Sequence, residues 1–321
     1  MTDFETLAAN ELPSAKPGIE GDFNTPGQPK GLGDSNKPRS LASDAWRDLR
    51  RSPMFWIAAV LALLFIVIAL FPSWFTSANP NACELSNSIK EPSSRAIFGY
   101  DFQGCNVYAR TIYGTRNSIG VGIFATILAG GIAFIVGMLA GYFGGWVDAT
   151  LARLIDIVLG IPLLLASIVL LQRLSNSPHN YGIWPVVFTL GILGWTTAAR
   201  VVRSSVISAR QQDYVQAARM LGASDRRIMV RHILPNAMAP AIVVLTIALG
   251  AFISAEAALS FLGIGIKPPA ISWGGEISDS ANRFRQAWWP LFYPTLFLTL
   301  TVLAFIMLGD AIRAAFDPKS R

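Results

Sequence analysis

The sequence predicts an all-α polytopic membrane protein with six transmembrane helices. Of its 321 residues, 52% are apolar and only 14% are charged, which is too hydrophobic for an ordinary soluble domain. About 20 apolar residues in a row suffice to cross a bilayer as a helix. Six segments reach or approach that length: residues 54–71, 117–147, 151–172, 181–199, 233–262 and 286–309.

A long polar stretch precedes the first apolar segment. Its position and length argue against a cleaved signal peptide. The first 40 residues are rich in Pro, Gly, Ser and Asn, and they bury too little apolar surface to offset the entropy lost on ordering. We therefore predict a disordered tail over residues 1–45, followed over residues 46–75 by a lead-in and the first transmembrane helix.

Small residues and prolines inside the apolar segments predict how the helices pack. Gly137, Gly141 and Gly145 recur every four residues, and this spacing permits close helix crossing. The crossing partner is either a helix of this chain or a partner subunit, and the sequence leaves both open. Pro162 and Pro185 predict bends in the third and fourth segments.

Two acids lie inside apolar segments. Asp156 is expected to pair with Arg153, one turn back on the same helix. Glu256 lies deep in the fifth segment, where an unpaired charge would cost roughly a few kcal/mol. It either bonds a neighbouring helix or lines a transport path, and the first role is favoured because intramembrane polar groups often join helices.

The distribution of basic residues predicts the orientation in the membrane. With a cytoplasmic N-terminus, the inner segments hold 18 Lys and Arg and the outer loops hold 8. Such an excess fits the positive-inside rule, so both termini, including a tail over residues 311–321, are expected in the cytoplasm. The net charge of +6 does not indicate nucleic-acid binding, because no basic stripe is interleaved with aromatic residues.

Both cysteines of the chain, Cys83 and Cys105, fall in the first outer loop, residues 76–116. Two cysteines alone in one oxidising compartment favour a disulfide over two free thiols. Closing a loop of this size is expected to stabilise the fold by about 3 kcal/mol on the chain-entropy model.

Signatures of catalysis are missing from the sequence. No lysine follows a glycine, so there is no phosphate-binding Gly-Lys-Ser/Thr loop, and no Gly-x-Ser-x-Gly elbow is present. The two histidines, His179 and His232, fall on opposite predicted sides of the membrane, so a histidine metal site is not expected. We therefore expect a non-catalytic chain without a cofactor or metal of its own.

A basic insert, QDYVQAARMLGASDRRIMVRHILPNAMAP (212–240), separates the fourth and fifth segments. Gly222 predicts a left-handed helix terminator, Ser224 predicts a cap for a second helix, and Pro235 is expected to end that helix. The first helix is predicted to have one apolar face, whose residues follow i, i+3, i+4, i+7 spacing: Tyr214, Ala217, Ala218 and Leu221. Such a helix pair fits either a partner protein or the lipid headgroups, and the pattern alone does not decide between them.

The insert resembles the EAA loop of bacterial ABC importer permeases. The Glu-Ala-Ala, glycine and Leu-Pro of that pattern correspond to Gln216-Ala217-Ala218, Gly222 and Leu234-Pro235. Gln216 keeps the size of the usual glutamate but not its charge. The resemblance implies a cytoplasmic coupling loop over residues 211–235 that sits in a cleft of an ATPase subunit. Its residues would be Tyr214, Gln216, Ala217, Ala218, Leu221, Gly222, Ala223, Arg227, Leu234 and Pro235.

Further stretches resemble the C-type permease subunits of dipeptide and oligopeptide importers. FGYDFQGCNVYARTIYGTRNSI (98–119) resembles their outer entry motif, with Cys105-Asn106 in place of the usual Arg-Asp. LSFLGIGIKPPAISWGG (259–275) and LGDAIRAAFDP (308–318) resemble two late signatures of the same subunits. The matching positions of the entry motif are Asp101, Gly104, Val107, Arg110, Tyr113, Gly114, Arg116 and Ser118.

This resemblance implies a type I ABC importer permease fold, with a five-helix core over residues 117–310, in a bacterial inner membrane. It also implies a B-type permease partner, two ATPase subunits that bind ATP and Mg, and an extracytoplasmic peptide-binding protein. Nickel and small-chelate importers share much of the pattern and stay as alternatives. An ion-driven secondary transporter would need matching halves, which the sequence does not show. A membrane scaffold or receptor without transport is the remaining alternative.

Overall fold

The computed structural model describes residues 46–47, 49–175 and 182–316. The expected tail (1–45), His179, the expected start of the fourth segment at Tyr181 and residues 317–321 lie outside this part of the chain. The main elements of the described residues are helices, here numbered α1 (Pro53–Leu70), α2 (Val107–Phe143), α3 (Gly145–Leu159), α4 (Leu163–Ser175), α5 (Trp184–Leu193), α6 (Thr196–Arg210), α7 (Asp213–Met220), α8 (Leu234–Phe261), α9 (Trp273–Ala281) and α10 (Trp289–Phe316).

Within the described ranges, four helices are long and apolar enough to cross a membrane: α1, α2, α8 with its lead-in from Asp225, and α10. Two bent pairs also pass the test, α3 with α4 at 84° and α5 with α6 at 45°. The total is six if each bent pair is one span, which matches the six segments expected from the sequence. The prediction of an all-α polytopic membrane protein is confirmed.

The boundaries of α2 differ from the expected second segment, 117–147. The helix begins at Val107 because the Asn106 side chain caps it, accepting a hydrogen bond from the Ala109 N–H at 3.2 Å. It ends at Phe143, and Gly144 and Gly145, both at positive φ, turn the chain into α3.

The third segment bends at the proline predicted from the sequence, but the fourth segment bends at a different place. The third breaks between Leu159 and Leu163, at Pro162. The fourth bends between Leu193 and Thr196, whereas Pro185 lies in the first turn of α5. A proline is tolerated there, because the first turn of a helix has no intrahelical acceptor for its missing N–H.

Helices α2 and α6 pack closely because two glycines of α2 lack side chains. A Cβ at Gly137 would lie 2.7 Å from the Cβ of Val202, and one at Gly141 would lie 2.8 Å from the Cβ of Val206. The third glycine, Gly145, begins α3 and has open space around it. The small-residue face therefore serves packing within this chain, through two of its three glycines.

Replacing Gly137 with valine is predicted to destabilise the protein, because the new side chain overlaps α6. Overpacking of this kind costs about 1–3 kcal/mol. Gly131 provides the matched control, since it lies on the same helix and a Cβ there would meet nothing within 4 Å. Thermal unfolding in detergent should show a lower midpoint for Gly137→Val than for Gly131→Val. Equal midpoints would contradict the close packing.

Candidate functional site

Two side chains of helix α7 in the coupling loop are buried against the rest of the chain. Val215 and Ala218 are buried, and Val215 packs in one apolar cluster with Val206 and Ala209 of α6 and Ile228. Of the four residues predicted to share one apolar face, only Ala218 is buried within the chain, while Leu221 is 88% exposed. Contact with α6 selects the Val215 side of the helix, and helical spacing alone could not indicate that choice.

Gly222 ends α7 in the predicted left-handed conformation, with φ of +78°. The Gly222 N–H donates to the Arg219 carbonyl at 3.0 Å, and the Ala223 N–H donates to the Ala218 carbonyl at 3.1 Å. This pair of bonds is the Schellman arrangement, which satisfies the last carbonyls of a helix. A Cβ at Gly222 would meet nothing within 4 Å, so the requirement for glycine here comes from the backbone alone.

The second helix of the insert does not stop at Pro235, contrary to the expectation. It runs from Asp225 through a π-helical segment, Ile228–Ile233, directly into α8. Pro235 lies in the first turn of α8, a position that tolerates its missing N–H. Ser224 has the extended backbone of a cap, but its side chain makes no capping hydrogen bond.

Polar contacts fasten the coupling loop to the ends of α2 and α8. The Tyr142 hydroxyl, near the end of α2, donates to the Asp225 carboxylate. The Asn236 amide of α8 donates to the Tyr214 hydroxyl at 3.0 Å. Because α7 also packs on α6, the loop is in contact with three helices: α2, α6 and α8.

One surface of the loop has no partner within the described residues. Gln216, Ala217, Met220 and Leu221 are neighbours on α7 and are all exposed; we call them the α7 outer face. Met220 is 90% exposed and Leu221 is 88% exposed. Fully exposed large apolar side chains that adjoin one another are typical of an interaction surface. Arg227 is also exposed, whereas Ala223 and Leu234 are partly buried.

Ion pairs connect α3 to α6. Asp156 pairs with Arg200 at 2.6 Å, not with Arg153 as the sequence suggested. Asp148 accepts two hydrogen bonds from the Arg203 guanidinium. Helical spacing indicates only partners on the same helix, whereas both arginines lie on the neighbouring helix α6.

At the other end of α2, the entry motif and the first late signature contact each other. Trp273 is completely buried; its indole N–H donates to the Thr111 carbonyl at 3.0 Å, and its backbone N–H donates to the Ser118 hydroxyl at 3.3 Å. The structure also joins Cys83 and Cys105 by the predicted disulfide. We call the region that contains this disulfide, the first turns of α2 and Trp273 the disulfide end.

A buried ion pair lies within the disulfide end. Arg110 donates to a single carboxylate oxygen of Glu276 at 2.8 and 2.5 Å, and its guanidinium lies 3.9 Å from Asp101. Burial raises the pKa of the Asp101 carboxyl, against the opposing effects of the Cys105 N–H bond and Arg110. Nothing in the sequence pattern singled out Glu276, although it directly follows the SWGG signature.

Glu256 is also completely buried, so its side chain lines no open surface in this conformation. The Ser260 hydroxyl donates to its carboxylate at 2.7 Å and in turn accepts from the Ile266 N–H at 3.0 Å. These contacts connect the end of α8 to the segment that follows it. They favour the structural role for Glu256 over a place on the transport path.

Comparisons with known proteins identify the family to which this chain is similar. The family model "Binding-protein-dependent transport system inner membrane component" matches residues 133–321, and "N-terminal TM domain of oligopeptide transport permease C" matches residues 40–92. The dipeptide transport system permease protein DppC of Alkalihalophilus pseudofirmus is 36% identical over 87% of this chain and 90% of its own. The oligopeptide permease OppC of Bacillus subtilis is 35% identical over 89% and 92%.

Two more relatives broaden the comparison. The glutathione transport system permease protein GsiD of Escherichia coli is 35% identical over 85% of this chain and 89% of its own. A solved methionine ABC transporter aligns with a TM-score of 0.50 at 17% identity, over 64% of this chain and 96% of that one. At that identity the structural match supports the fold alone.

The fold and the family matches define a polytopic permease subunit, a class of protein that moves a solute across a membrane. The chain belongs to the family of binding-protein-dependent transport system inner membrane components. It is therefore a permease component of an ABC importer, with the type I fold.

Loss of Arg110 is predicted to destabilise the disulfide end, because it leaves Glu276 buried without a counter-charge. Breaking a buried pair in this way costs about 3–5 kcal/mol. Arg200→Gln is the control, since its pair with Asp156 is half-exposed and such pairs contribute about 0–1 kcal/mol. Thermal unfolding should separate the two variants clearly, and an Arg110→Gln protein as stable as Arg200→Gln would contradict the assignment.

Proposed function

We propose that this chain is the C-type permease half of an ATP-driven importer of dipeptides and oligopeptides. The named substrates of its relatives, dipeptides, oligopeptides and the tripeptide glutathione, are all peptides, and this supports the peptide class over nickel chelates. The proposed location is a bacterial inner membrane with both termini in the cytoplasm, supported by the excess of basic residues in the inner segments.

The observation that carries the coupling role is the α7 outer face. Its exposed Met220 and Leu221 suit a cleft in a separate ATPase subunit, and the opposite side of α7 is fixed by Val215. Closing of the ATPase subunits on ATP would pull α7. The buried cluster and the Tyr142–Asp225 bond would pass that movement to α6, α8 and α2.

The remaining parts of the assembly follow from the family. A B-type permease would supply the other half of the path, and two ATPase subunits would bind ATP and Mg and carry out hydrolysis. A peptide-binding protein would deliver substrate at the disulfide end. This chain contributes binding surfaces and movement, with no cofactor and no catalytic step of its own.

The proposal is tested by reconstituting the chain with its co-purifying partners in proteoliposomes and measuring uptake of a labelled peptide. ATP-dependent uptake that survives an uncoupler is expected. Uptake that needs an ion gradient instead of ATP would indicate a secondary transporter. Uptake of a nickel chelate without peptide uptake would assign the other substrate class, and pull-down without any ATPase would indicate a scaffold or receptor.

Leu221→Asp is predicted to abolish ATPase attachment while leaving the permease folded, because the side chain contacts little of its own chain. An apolar anchor that acts as a hot spot costs about 2 kcal/mol or more when it is removed, which is a roughly thirtyfold loss of affinity, so little ATPase should copurify. Leu85→Asp serves as the control, since Leu85 is similarly exposed in the loop at the disulfide end. Equal ATPase recovery from both variants would contradict the proposed docking surface.

Gly222→Val is predicted to uncouple ATP hydrolysis from peptide uptake by distorting the end of α7. The matched control is Gly263→Val: both glycines have φ of +78° and open space at the Cβ position. Each variant should carry a similar backbone strain of about 1–2 kcal/mol or more. Peptide transported per ATP hydrolysed should fall in the first variant only; retained coupling there would count against the role of the loop.

A further inference from the structure

One face of α6 is polar and exposed along its whole length. Its members recur every three or four residues, and no large apolar side chain interrupts them; they are Thr197, Arg200, Ser204, Ser208 and Gln211 at the end of the helix. The opposite face, which includes Val202 and Val206, is buried. The exposed polar positions form the α6 stripe.

The exposed faces of the other spans have a different composition. On α1 the exposed residues include Ile57, Val60 and Leu63, and on α2 they include Ile127 and Ile135. Such side chains suit the hydrocarbon core of a bilayer, where an unsatisfied polar group costs several kcal/mol. The α6 stripe therefore faces water or protein and not lipid.

A groove runs between α6 and α8 beside this stripe. It consists of three cavities of about 420, 360 and 510 Å³. The first and second share Val244 and Ile247, and the second and third share Pro240. The three cavities therefore lie next to one another, in a row that leads toward the coupling loop.

The lining of the groove changes along its length. The first cavity, at the bends of both broken spans, is mainly apolar. The third is lined mainly by uncharged polar side chains: Ser204, Ser205, Ser208, Gln212, Tyr214 and Asn236. Between them, Arg313 of α10 lines the second cavity, and it forms no ion pair with any residue that the structure describes.

We propose that this groove is the wall of the peptide path contributed by this subunit, and that Arg313 binds the C-terminal carboxylate of the peptide in transit. Hydroxyl and amide groups pair with the N–H and C=O groups common to all peptides without selecting side-chain charge. A guanidinium that has no ion-pair partner among the described residues matches a carboxylate, which free peptides carry and their C-terminal amides lack. This proposal rests on the proposed peptide function, and it names the residues that would bind the peptide during transport.

The test uses the assembled, nucleotide-free complex in nanodiscs and a charged, membrane-impermeant thiol reagent. Ser204→Cys and Ser208→Cys introduce probes in the groove, and Ile135→Cys is the lipid-facing control. Both native cysteines are joined in the disulfide and do not react. The ligands are trialanine and trialanine amide, at concentrations that saturate import of trialanine by the same complex.

We expect the two groove probes to react and the control to stay unlabelled. Trialanine should slow labelling of the groove about tenfold more than its amide does, which is the effect of losing one charge-assisted contact. Arg313→Gln should abolish the difference between the two ligands, and Arg313→Lys should retain part of it.

Two results would overturn the inference while leaving the proposed function intact. Labelling that trialanine does not slow, in a complex that imports trialanine, would exclude the groove as the path. Equal protection by trialanine and its amide would exclude the role of Arg313. A wild-type complex that imports no peptide would instead contradict the proposed function itself.

Discussion

The close approach of α2 to α6 is the contact on which the rest of this structure depends. Gly137 and Gly141 have no side chains, so the valines of α6 pack directly against the backbone of α2. This contact turns the apolar face of α6 inward and leaves its polar stripe beside the groove. It also brings Val206 and Ala209 to the position where α7 packs. Close packing of α6 on the glycines of α2 thus positions both the coupling loop and the proposed path.

The two ends of the helical core differ in how they are held. At the disulfide end, a covalent bond, the buried Arg110–Glu276 pair and the seated Trp273 join distant parts of the chain. At the coupling-loop end, the apolar cluster around Val215 and the Tyr142–Asp225 hydrogen bond join the helices without a covalent link. One covalently fixed end and one end held by non-covalent contacts suit a subunit that receives movement from outside. The helices between them change direction at breaks near Pro162 and Gly194.

The sequence predicts features that depend on local chemistry. Apolar length indicates the spans, Gly222 indicates its own backbone conformation, and two cysteines in one loop indicate their bond. Features that depend on which helices are neighbours are not predicted. The partner of Asp156 lies on another helix, and the buried side of α7 is chosen by contact with α6. The family resemblance supplied the coupling loop, but no local pattern indicated the groove.

The central claim is that a separate ATPase drives this permease through the α7 outer face. The most direct measurement places a photoreactive amino acid at Met220 in the reconstituted importer and identifies what it cross-links during peptide uptake. The account predicts cross-links to the ATPase subunit, with a yield that changes between the nucleotide-free and ATP-bound states. Cross-links to phospholipid alone, in a complex that still imports peptide, would contradict it.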